Sequence, residues 1–141
     1  MNVYLAGAIE LIDLEQARQW RNEAKVLFEM HTNARAVSPL DYEPEEGPYN
    51  DEQIVNTDKA LLARCQAVLV DGRQPGWGTA MEVLLANQQN IPVVVWGLDR
   101  EHASIWLRHH ATLFVPSLAE GVRSEERRVG KECRSRWSPY H

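Results

Sequence analysis

Between Asn2 and Val115 the chain alternates short apolar runs with longer segments whose apolar residues return at helical spacing. That alternation predicts a parallel sheet covered by helices on both faces. VYLAG, residues 3–7, reads as a buried strand ended by glycine, and LEQARQWRNEAKVLFEM, residues 14–30, puts Ala17, Trp20, Ala24, Leu27 and Phe28 on one helical stripe. ARAVSPL supplies a weaker strand stopped at Pro39, after which a polar stretch from Asp41 to Tyr49 has the length of a lid or binding loop. NDEQIVNTDKALLARC predicts a second helix with Asp51 as cap and Ile54, Val55, Leu61, Leu62 and Cys65 along its stripe. AVLVDG then reads as a central strand, TAMEVLLANQQ as a helix and PVVVWG as a fourth strand. SIWLRHH is a short helical piece before ATLFV, the fifth strand, and a last helix is expected to begin after PSLAEG.

Five strands in this order suit a doubly wound α/β fold with a parallel sheet, flavodoxin-like or Rossmann-like, its last helix truncated. Ligands of such sheets sit outside the carboxyl ends of the strands. The rule selects the Gly7–Glu10 turn, the Asp71–Thr79 loop and the stretch around Gly97. The helix that follows Thr79 aims its amino end at the same crevice, where open backbone donors favour an anion.

Charge divides the chain at about residue 122. Residues 123–141 hold six Lys or Arg and three Asp or Glu, which leaves nine basic and seventeen acidic residues in the body. An acidic body argues against a nucleic-acid polymer as partner and for a small ligand. RSEERRVGKECRSRWSPYH, residues 123–141, has neither helical nor strand periodicity and reads as a disordered end. The string also resembles the translation of a widely used sequencing adapter. We therefore expect one domain over residues 1–122 and a non-native tail beyond it. No apolar run has the length of a membrane span and the first residues lack the form of a signal peptide, so a cytoplasmic protein is expected. The two cysteines, Cys65 and Cys133, lack metal-ligand spacing.

The candidate chemistry centres on Glu82. Thr79-Ala80-Met81-Glu82 has the spacing of a capping box, so the glutamate serves either the start of its helix or a reaction. Asp58 lies on an otherwise apolar stripe, where a carboxylate is costly unless it is paired. Tyr4, within the first strand, needs a partner for its hydroxyl if buried. Two carboxylates beside a phenol are the parts for displacement at an anomeric carbon: one attacks, another group protonates the departing fragment, and the phenol orients the nucleophile. Each alone also reads as structure, as do His109, His110, Trp20, Trp96 and Trp106. Trp77 precedes Glu82 closely enough to lean over a base. No Gly-x-Gly-x-x-Gly follows the first strand and no Walker loop appears, which argues against a nicotinamide or flavin site.

In this order and spacing, VYLAGAI, QWRNEAK, SPLDY, IVNTDKALLARCQAVLVDG, GTAMEVLLA and WLRHHATLFVPSLAE resemble the nucleoside 2-deoxyribosyltransferases and the related 2'-deoxynucleoside 5'-monophosphate N-glycosidases. The resemblance implies that Glu82 is the nucleophile, Tyr4 the residue that orients it and Asp58 a carboxylate that contacts the base or moves its proton. It further implies cleavage of the N-glycosidic bond through a deoxyribosyl ester, passage of the sugar to water or a second base, no metal or organic cofactor, and a homo-oligomer. Gly7, Arg73, Gly76, Gly78 and Thr79 are the candidate substrate-binding positions. Gly76 departs from the pattern, since relatives acting on nucleosides tend to carry aspartate there and those acting on monophosphates serine. Its N–H, the helix end and nearby Arg73 point to a phosphate. The alternative is a nucleotide-binding or sensing module without chemistry, motivated by Gly76 and by the capping-box reading of Glu82.

Overall fold

The computed structural model describes residues 1–42 and 50–125. Its five strands, β1 (Asn2–Ala6), β2 (Arg35–Val37), β3 (Ala67–Asp71), β4 (Val93–Trp96) and β5 (Leu113–Val115), form one parallel sheet in the order β2-β1-β3-β4-β5. The doubly wound fold is therefore the flavodoxin-like variant, with its switch point between β1 and β3. The inner strands β1 and β3 are buried almost without break, as a sheet covered on both faces requires.

Alternation along the strands sorts the core into two layers. Tyr4, Ala6, Val68, Val70, Val93 and Val95 face α2 (Asp51–Ala63) and α3 (Trp77–Gln88), which contribute Leu61, Leu62, Val83 and Ala86. Val3, Leu5, Leu69, Val94 and Trp96 face α1 (Leu14–His31) and a terminal helix, α5, over residues 118–125. The short α4 (Ile105–His110) is capped by Ser104 and leads into β5.

Several boundaries differ from the sequence expectation for local reasons. Asn50, not Asp51, caps α2, and it forms a reciprocal capping box with Gln53. Val55 leaves the expected stripe and is 45% exposed, while Leu61, Leu62 and Cys65 stay buried. The last helix starts within PSLAEG rather than after it, because Ser117 Oγ accepts the Glu120 N–H at 3.3 Å and Leu118 and Val122 reach the core. It runs without interruption past Val122 through residues 123–125, with Glu125 buried. The rest of the expected tail, and most of the expected lid at positions 43–49, lie outside the described residues. At the near edge of that lid Pro39–Tyr42 form a 3-10 turn, and Asp41 pairs with Lys25 of α1.

The end of β1 is packed tightly. A Cβ on Gly7 would stand 2.8 Å from Trp20 Cζ2 and 3.2 Å from Asp71 Cβ. The Trp20 ring cannot yield easily, since it is held against Trp96 at 5.8 Å between centroids. Gly7→Ala is expected to lower stability by about 1 to 3 kcal/mol, read as a lower urea midpoint with unchanged m-value. An unaltered midpoint would show that the turn relaxes around the methyl group.

Candidate functional site

The three residues singled out by chemistry come from three elements of the same face: Tyr4 from β1, Asp58 from α2 and Glu82 from α3. Tyr4 is fully buried because strand alternation turns it toward the helices, and Asp58 and Glu82 are half-buried. Asp58 acts electrostatically on both Tyr4 and Glu82, and the Tyr4 hydroxyl and Glu82 carboxyl act on each other. Tyr4 Oη and Glu82 Oε2 nevertheless make no hydrogen bond of good geometry among the described residues.

Glu82 is not the partner in a cap. Helix α3 begins two residues before Thr79, with Gly76 at the cap position, and among the described residues no side chain caps it. Glu82 therefore lies in the second turn, too far along to bond the helix start. The capping-box spacing is present in sequence and absent in structure.

Desolvation by burial raises the Glu82 pKa from 4.5 to about 7, and the negative charge of Asp58 adds to the rise. The nearby Tyr4 O–H and the charge of Arg21 pull the other way. Burial, reinforced by Glu82 and Asp58, holds the Tyr4 phenol far above its ordinary range, so it remains a neutral donor. The site thus combines a carboxylate near its ionisation point with an O–H able to steady the anion. Such a pairing is one that a nucleophile or a general base can use.

The candidate binding residues divide. Gly76 approaches the Gly7–Ala8 turn so closely that a Cβ there would lie 3.3 Å from both Cα and Cβ of Ala8 and 3.2 Å from Thr79 Oγ1. Glycine at this position is explained by packing against the turn, with the φ of −155° being ordinary extended backbone. Thr79 is buried and points toward Gly76, whereas Gly78 faces open space. The first turn of α3 contains no acidic residue of its own to answer the helix dipole.

Arg73 stands apart from these groups. Its Nε and Nη2 donate to the two oxygens of Asp71 at 3.0 Å each, and its guanidinium lies 4.4 Å above the Trp96 ring, on the α1 side of the sheet. Asp71 raises the Arg73 pKa by hydrogen bonding. The carbonyl of Gly7 is taken by Arg21 Nη2 at 2.9 Å.

Arg21 is the residue that the sequence expectation missed. It belongs to α1, is 1% exposed, and donates to the carbonyls of Leu5, Ala17 and Gly7. The signal was present: Arg21 falls four residues after Ala17 and three before Ala24, on the same apolar stripe, as Asp58 does on its own helix.

Cys65 offers no competing nucleophile. Its Sγ donates to the Leu61 carbonyl, and burial pushes the thiol up to about 11. Among the described residues no group of three or more His, Cys, Asp or Glu is placed to hold a metal ion, and no helix is long and apolar enough to cross a membrane.

No protein-family model matches the chain, and no curated protein matches it in sequence. Solved structures do match the fold. A conserved protein from Enterococcus faecalis V583 aligns at 16% identity with a TM-score of 0.65, over 89% of this chain and 98% of that one. The 2-deoxyribosyltransferase of Bacillus psychrosaccharolyticus aligns at 13% identity with a TM-score of 0.68, over 85% of this chain and 89% of its own. A 2-deoxyribosyltransferase from Leishmania mexicana aligns at 20% identity with a TM-score of 0.53, over 67% and 63%. The chain thus has the fold that 2-deoxyribosyltransferases use.

Proposed function

We propose that this chain breaks the N-glycosidic bond of a 2'-deoxyribonucleoside or its 5'-monophosphate, with Glu82 attacking C1'. The observation that carries the reading is the meeting of Glu82, Tyr4 and Asp58 on one face of a fold shared with 2-deoxyribosyltransferases. The release of Glu82 from any capping role supports chemistry over the binding-module alternative.

In the proposed step the ionised Glu82 forms an ester bond to C1' as the bond from C1' to the base nitrogen breaks. The electron pair leaves with the base, and a proton, delivered by Asp58 or by water, neutralises it. Tyr4 orients the Glu82 carboxylate through its O–H. Water or a second base then attacks C1', and the Glu82 carboxylate departs unchanged. The start of α3, which has no acidic residue in its first turn and glycine at its cap, favours the 5'-monophosphate, because helix-terminal N–H groups and the helix dipole attract an anion. Arg73 would assist only from outside its clamp on Asp71.

Incubation with each deoxyribonucleoside and each 5'-monophosphate, with and without an acceptor base, tests the proposal by chromatography of released or exchanged base. A panel with no free base and no exchange rejects it. The acid limb supplies a sharper prediction. Attack needs the ionised carboxyl, so kcat/KM is expected to rise with pH through a midpoint near 7, set by the raised Glu82 pKa. A limb centred at the ordinary carboxyl value of 4.5 would mean that Glu82 does not control the reaction.

A further inference from the structure

We propose that Arg21 is a positioning residue for Glu82 and Tyr4: its guanidinium ties α1 to the end of β1 and, through the Gly7–Ala8 turn, seats the start of α3 against the strand that carries Tyr4. The inference rests on the reading of Glu82 as nucleophile and goes beyond it by assigning a role to a residue of the opposite face.

The contacts run in sequence. Arg21 Nη1 donates to Ala17 O at 2.8 Å within its own helix, Nη2 to Gly7 O at 2.9 Å, and Nε to Leu5 O at 3.4 Å. Its guanidinium lies 4.8 Å from the Trp20 ring centroid, and Trp20 in turn walls Gly7. Ala8, next after Gly7, stands where a Cβ on Gly76 would meet it at 3.3 Å. Gly76 is the cap of α3, whose second turn bears Glu82. One buried fork therefore holds the strand end on which the nucleophile's helix rests.

Stability alone is a poor reason for this arrangement. Hydrogen bonds from the buried guanidinium go to neutral carbonyls, and its desolvation is only partly offset by them. An apolar side chain would fill the stripe between Ala17 and Ala24 at lower cost. The charge does have neighbours across the sheet: Arg21 interacts electrostatically with Glu82 of α3, Tyr4 of β1, Asp71 of β3 and Asp58 of α2. Glu82 is faced by Asp58, which disfavours its anion, and by Tyr4 and Arg21, which favour it. Arg21 thus supplies both geometry, through its fork, and countercharge.

Two variants separate those contributions. Lysine keeps the charge and cannot reproduce a fork to three carbonyls, whereas methionine keeps neither. The ionisation of Glu82 is followed by carbon NMR of glutamate carboxyls, its resonance identified by Glu82→Gln, with circular dichroism recording the fold. Arg21→Met is expected to raise the Glu82 midpoint by about half a pH unit or more and to lower kcat about a hundredfold. Arg21→Lys is expected to leave the midpoint near the parent's and still lower kcat about tenfold, with KM little changed.

A folded Arg21→Met protein with an unshifted midpoint overturns the proposal. So does Arg21→Lys with parental kcat, or loss of the fold in both variants, since the residue would then serve stability alone. A parent protein that releases no base rejects the proposed function instead, and the NMR titration, which needs no turnover, then decides the role of Arg21 by itself.

Discussion

Replacing Glu82 with glutamine is expected to slow base release about a thousandfold, roughly 4 kcal/mol of barrier, and at the same time to stabilise the folded protein above about pH 7. The rate follows from chemistry: an amide of the same shape occupies the same place beside Tyr4 and cannot form the ester to C1'. The stability follows from proton linkage. Glu82 ionises near 4.5 when unfolded and at about 7 when folded, so the native state binds the proton more tightly between those values. Stability from this group is complete below the unfolded pKa and is lost as pH rises through the folded one. Above that window the parent carries a poorly solvated anion that glutamine lacks. With allowance for the partial exposure of Glu82, the gain should be about 1 to 3 kcal/mol near pH 8 and vanish at about pH 4. Urea unfolding at the two pH values, beside the chromatographic assay, reads both effects. A variant that releases base as fast as the parent removes Glu82 from the mechanism. One that is no more stable at the higher pH removes the burial argument for its raised pKa.

Replacing Asp58 with asparagine should lower base release about a hundredfold and move the acid limb to lower pH. The two changes have separate causes. In the proposed mechanism, loss of the carboxyl group that contacts the base or passes its proton slows departure of the base. Loss of its negative charge removes one of the two influences that raise the Glu82 pKa, leaving desolvation as the other, so Glu82 ionises at lower pH. The deficit should therefore be largest above about pH 8, where Glu82 is ionised in both proteins, and shrink on the acid side. A full profile of kcat/KM checks this. A limb that stays in place would show that Asp58 does not sense Glu82, and an unchanged rate would leave it a solvated residue at the edge of its helix.

How far the site was legible depended on whether a residue conflicted with its own surroundings. Asp58 was visible because a carboxylate breaks the apolar stripe of α2, and Tyr4 because a strand tyrosine must place its hydroxyl. Arg21 breaks the stripe of α1 in the same manner and would have yielded to the same argument. Glu82 was ambiguous, since Thr79 and Glu82 have the right spacing for a cap in a helix that happens to start earlier. Local spacing has no access to where a helix begins when glycine, which signals many things, is the cap. Arg73 lay close to the crevice along the chain, yet its bidentate bond to Asp71 and its place over Trp96 draw it to the other layer.

By itself the sequence determined the alternation of strands and helices, and with it a parallel sheet buried on both faces, because apolar periodicity is a local property that burial then rewards. Only the tertiary structure decided the strand order β2-β1-β3-β4-β5, the freedom of Glu82 from its helix cap, and the Arg21 fork on Leu5 and Gly7. These depend on contacts between residues far apart in the chain, and on a carboxylate whose ionisation is set by what surrounds it in space rather than by its neighbours in sequence.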